Sequence, residues 1–159
     1  MCIHSNRELE EAVIGIDEVN KQMRESGNPR RVAAVEIRKE SGGFVVGWLC
    51  NPLDEVSIAQ TIADLYSWHV NDMDLRGTHA DLSNVNKVRA EDGLPPVKET
   101  GMPLLVRTGT PDVPEGNRRT AAQRSLDKVD YFLNSYLPRQ EKVQPHPMVH
   151  RLAKELVAA

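Results

Sequence analysis

Near the start of the chain the apolar positions recur every three or four residues. Leu9, Ala12, Val13, Ile16, Val19 and Met23 therefore share one face of a helix over about 7–24. Ser5 or Asn6 can accept from its free N–H groups, and Glu8, Glu10 and Glu11 suit the positive end of its dipole. Gly27-Asn28-Pro29 stops it, because proline lacks an N–H and disfavours helix in the residue before it. The period then switches to alternation. Ala33, Val35 and Ile37 interleave with Ala34, Glu36 and Arg38, the mark of a half-buried strand. Ser41-Gly42-Gly43 offers the positive φ angles of a tight turn, and Phe44 to Cys50 returns as a strand that is apolar on both faces. A hairpin over about 32–50 follows.

Helical spacing resumes after Asn51-Pro52. Ile58, Ala59, Ile62, Leu65, Tyr66, His69 and Met73 form a broad apolar stripe over about 54–73, with Asp54 or Ser57 as cap. A third helix is expected over about 118–137, where Ala122, Leu126, Val129, Leu133 and Tyr136 line one side and Pro138 follows. Between these helices lies an irregular region, about 74–117, rich in proline and glycine. Within it only a helical turn near 82–89 and a strand at 104–107 look regular. Residues 139–159, with a short amphipathic segment after Pro147, look like an appendage docked loosely or onto another chain.

At 159 residues the chain suits a single domain. Aromatic residues make up only 4%, so the core must be aliphatic. No apolar run approaches the ~20 residues that cross a bilayer, and no charged-then-apolar leader opens the chain. A net charge of −3 removes the simplest case for a nucleic-acid or lipid partner. Two cysteines are too few for a disulfide scaffold. Cys50, at the end of an apolar run, reads as a small buried hydrophobe.

Candidate chemistry concentrates at the start of the third helix. Arg118 and Arg119 in a first turn oppose the dipole, which makes sense if they and the free N–H groups receive an anion. Arg124, Lys128 and Tyr131 share one side of that helix, where an aromatic between two cations can stack on a base or dock a peptide. The plainer reading is a solvated face with Asp127 and Asp130. His79 is the histidine placed as a catalytic base would be, near Asp74 and Asp81, although no nucleophile is in view. Asp72, Asp74 and Asp81 equally suit a frayed helix end. His69 reads as a core histidine. His146 and His150 have chelating spacing, but the prolines flanking His146 place it before a helix, and no metal is expected.

These features predict an α+β fold, a short antiparallel sheet built on the hairpin and packed by three amphipathic helices. The function expected is that of a small intracellular, cytoplasmic interaction protein of the accessory, inhibitor or immunity type. It would use the irregular region and the outer face of the third helix, through Arg118, Arg119, Arg124, Lys128 and Tyr131. Its partner would be another protein or a second copy of the chain, with no membrane and no cofactor. The alternatives are nucleic-acid or phosphate binding through the basic third helix, and a small hydrolase or transferase using His79 with Asp74 or Asp81.

Overall fold

A computed structural model describes residues 2–3, 6–69, 77–99 and 127–157. The elements run β1 (Cys2–Ile3), α1 (Asn6–Glu25), β2 (Ala33–Lys39), β3 (Phe44–Cys50), α2 (Glu55–His69), β4 (Thr78–Asp81) and α3 (Ser83–Glu91). A helical run over 127–140, α4, and a last helix, α5 (Pro147–Val157), complete them. The chain is α+β, as its periodicities predict. The strands form one antiparallel sheet in the order β1-β3-β2-β4.

The hairpin has the predicted bounds to within a residue. Gly42 takes φ +93° in its turn, where Lys39 N–H donates to Gly43 O at 2.8 Å. The register Ala33↔Cys50, Val35↔Trp48 and Ile37↔Val46 puts these residues on one sheet face. Ala34, Glu36, Leu49 and Gly47 take the other. A side chain at Gly47 would bring its Cβ to 3.3 Å from Val35 O and 3.4 Å from Ile3 Cβ, so glycine is what lets β1 lie close against β3.

β4 was not foreseen. Thr78-His79-Ala80-Asp81 carries one apolar residue, and its strand character comes from pairing with β2, Ile37 opposite Ala80 and Glu36 opposite Asp81. Where β4 ends, Asn84 of α3 takes over the edge of β2 by accepting from Ala34 N–H at 2.8 Å. Asn20 of α1 brackets Val32 from both sides, donating to its O at 2.8 Å and accepting from its N–H at 2.9 Å.

Two further expectations need correction. Part of the 74–117 region is regular: β4, a full α3, and a segment in which Val97 is buried and pinned by Asn86 through two hydrogen bonds. The strand expected at 104–107 lies outside the described residues. Nor do 139–157 behave as an appendage. α5 packs along α2, buries Val149, Leu152, Ala153 and Leu156, and takes Lys98 N–H on Leu156 O at 2.9 Å. Its hydrophobic stripe has its partner within the chain.

Helix α4 also runs on past Pro138. A π-helical turn, Phe132–Tyr136, precedes an α-helical end, Leu137–Gln140, and Leu137 N–H donates to Phe132 O. Proline has no N–H and its ring crowds the carbonyl four residues back. Widening the turn before it relieves that clash and starts a fresh α segment with Pro138 in the first turn, where no N–H is needed.

Candidate binding cleft

The sequence Asn51-Pro52-Leu53-Asp54 ends β3 and starts α2, and side chains fix its shape. Leu53 N–H donates to Asn51 Oδ1 at 3.1 Å, Val56 N–H to Asp54 Oδ1 at 2.9 Å, and Asn51 N–H to Ser57 Oγ at 3.1 Å. From α3, the buried Arg89 donates to Pro52 O at 3.0 Å, Glu55 Oε1 at 3.2 Å and Pro95 O at 2.8 Å. The start of α2 is thus a rigid platform.

The buried stripe of α2 (Ile58, Ala59, Ile62, Leu65, Tyr66) faces the core. Ser57, Gln60, Thr61 and Asp64 fall on a second, polar stripe at helical spacing. Thr61 Oγ1 donates to Ser57 O at 2.9 Å, and Gln60 Nε2 donates to Asp64 Oδ1 at 2.9 Å. Asp64 is only 7% exposed, and burial pushes its carboxyl up to about 6 against the stabilising Gln60 bond.

Facing this stripe is the π turn of α4. Phe132 is buried and stacks on Tyr136 at 5.8 Å, while Tyr136 meets Trp48 of β3 at 6.4 Å. Gln140 Nε2 donates to Tyr136 Oη at 2.7 Å. The link from α4 to α5 closes the end: Glu141 pairs with Arg30 at 3.2 Å, and His146 caps α5 by accepting Met148 N–H on Nδ1 at 3.1 Å. His150, one turn on, turns to the gap.

Together these elements enclose a cleft of about 350 Å³. One wall is mainly polar (Asp54, Ser57, Gln60 and Thr61, with Val56), the other aromatic and aliphatic (Phe132, Tyr136, Leu137), and Gln140, Glu141, Val143 and His150 form the rim. Size and mixed lining are those of a binding pocket. A π turn in the wall is a further feature that recurs at functional sites.

Of the residues singled out from sequence, Arg118, Arg119, Arg124 and Asp74 lie outside the described residues. Lys128 does not sit on an open face: its ammonium pairs with Glu8 of α1, and both side chains are largely buried. A buried carboxylate needs such a cation, which is why the helix turns Lys128 inward. Tyr131 is half-buried, its Oη accepting from Arg139 Nη2 while the same guanidinium lies 5.9 Å over its ring.

His79 and Asp81 stand on β4 opposite Arg38 and Glu36. Asp81 Oδ1 accepts from Ser83 N–H at 2.9 Å and from Ser83 Oγ, and Oδ2 lies 3.4 Å from Arg38 Nε. Glu36 takes the same Nε at 2.7 Å, and burial raises its carboxyl, Asp81 adding to the rise and Arg38 opposing it. Among the described contacts none is a hydrogen bond between His79 and Asp81. Asp81 holds Ser83 at the start of α3 and shares an arginine, a structural occupation. No three His, Cys, Asp or Glu among the described residues come together as a metal-holding group.

Sequence reading missed the cleft. The usable signal was the polar register 57-60-61-64 inside an otherwise apolar helix. No described helix is long and apolar enough to cross a membrane. Comparison with protein-family models, with characterised proteins and with solved structures finds no match for this chain.

Proposed function

We propose that this protein works by binding a segment of another protein in the cleft between α2, α4 and α5, without changing it covalently. What carries the reading is the contrast between the two walls of a 350 Å³ cleft on a rigid support. Hydroxyl and amide groups opposite an aromatic surface suit a short peptide, whose backbone needs hydrogen bonds and whose side chains need apolar contact. The surface differs from the one expected from sequence: it is the α2-facing side of the third helix.

The test blocks the cleft without touching its supports. Val143 lines it and is 61% exposed, so Val143→Trp fills space while leaving the fold intact. Ile14, 71% exposed on α1, gives the control Ile14→Lys. The partner captured from the source cell, purified and titrated back, is expected to bind Val143→Trp at least tenfold more weakly and Ile14→Lys as well as the parent. Unchanged affinity for Val143→Trp overturns the reading.

A further inference from the structure

We infer that the cleft selects a cationic side chain, arginine or lysine, on the partner's segment; this rests on the cleft being the binding site. Asp54 and Glu141 bring two carboxylates to the lining, which among the described residues contains neither lysine nor arginine. The carboxylates are only partly used. Asp54 gives Oδ1 to Val56 N–H, while among the described residues Oδ2 accepts nothing. Glu141 gives Oε2 to Arg30 at 3.2 Å, an exposed pair that water screens.

One amide points the same way, independently of the charges. Gln140 commits its nitrogen to Tyr136 Oη, which leaves its Oε1 as an acceptor toward the cleft rim. A lining that carries two carboxylates and the Oε1 of Gln140, with no lysine or arginine among its described residues, offers acceptors, so its complement is a group rich in donors. Guanidinium has five N–H donors and ammonium three, and neither accepts. Both end an apolar stem, and Tyr136, Leu137 and Val143 supply the apolar wall against which such a stem lies. An anionic segment would meet two carboxylates with no lysine or arginine beside them among the described lining residues.

The experiment titrates the ¹⁵N-labelled 159-residue chain with capped pentapeptides Ala-Leu-X-Leu-Ala, X being arginine, glutamine or glutamate, and with agmatine as a free guanidinium. The arginine peptide is expected to shift amides of 54–61, 132–141 and 143–150 and to bind at least tenfold more tightly than the glutamate peptide, with glutamine between. Asp54→Asn combined with Glu141→Gln should erase that preference; asparagine still caps α2, so the fold is kept. Equal binding of the arginine and glutamate peptides, or shifts mapping elsewhere, overturns the inference. Agmatine binding as tightly as the peptide overturns a peptide occupant. If Val143→Trp loses the partner while the double variant keeps it, the cation preference alone fails. If Val143→Trp keeps the partner, the binding reading itself fails.

Discussion

The α3 segment and the cleft are built from similar polar residues and use them in opposite ways. Around α3, Asn84 and Asn86 spend their amides on backbone groups of 34 and 97, and Arg89 holds three oxygens from two stretches of chain. Asp92 gathers Arg24 and Arg31, which hold its carboxyl below the usual range against the opposing effect of burial. Such groups stitch irregular chain to the sheet where apolar residues are few. In the cleft, Gln140 keeps an acceptor in reserve and Asp54 an oxygen. On the proposed reading, satisfied polar groups serve structure and reserved ones serve recognition.

The largest expected effect breaks the first half of that contrast. Arg89 is 1% exposed, and Arg89→Ala strands the carbonyls of Pro52 and Pro95 together with Glu55 Oε1. A loss of about 4 kcal/mol is expected, since the buried carbonyl of Pro52 and two part-buried acceptors lose their donor and a volume is emptied. Urea unfolding should show the midpoint falling with an unchanged slope. A loss below about 1 kcal/mol would mean that α3 is held by its apolar contacts and not by its polar ones.

Asp64 sits between the two classes, a buried carboxyl just behind the polar wall. Its folded value, about 6 against an ordinary 3.8, is raised, so the protonated form is favoured on folding. Stability from this group is complete below about 3.8 and falls as pH rises through about 6. At pH 7 the ionised carboxyl therefore costs on the order of 3 kcal/mol, at ~1.4 kcal/mol per unit. Asp64→Asn still accepts from Gln60 and should be more stable than the parent at pH 7 by up to that amount, the two converging near pH 4. Parallel stability–pH curves for the two proteins would remove the carboxyl from the comparison.

What sequence could reveal follows the same division. The hairpin and α1 were legible because periodicity reports burial, and their buried faces are continuous: Ala33 to Ile37 and Leu9 to Met23. β4 was not, because a strand of Thr, His, Ala and Asp is made by its neighbour's unpaired edge. α5 carried a readable stripe, but periodicity says that a face is covered and not by what. Pro138 marked a helix end, and the chain widened one turn instead. For the site, Arg118 and Arg119 were legible as charges and lie outside the described residues. Lys128 reads as exposed from its local pattern because its partner, Glu8, is 120 positions away in sequence. The cleft needed α2, α4 and α5 to be brought together, a long-range fact that local pattern does not encode.

The smallest stability effect gives the sharpest test of the second half. Gln140→Ala removes one part-buried hydrogen bond to Tyr136 Oη and an acceptor on the rim. Tyr136 is held by its ring contacts with Phe132 and Trp48, so the fold should lose only about 0.5 kcal/mol by thermal or urea unfolding. Affinity for the arginine peptide should fall about tenfold, a loss of ~1.4 kcal/mol in binding that exceeds the loss in stability. For a residue of the α3 kind the order is reversed, with stability lost first and binding only through it. If Gln140→Ala unfolds the protein as readily as Arg89→Ala, then the amide on the rim belongs with the clamps, and the cleft is a gap between elements instead of a receptor.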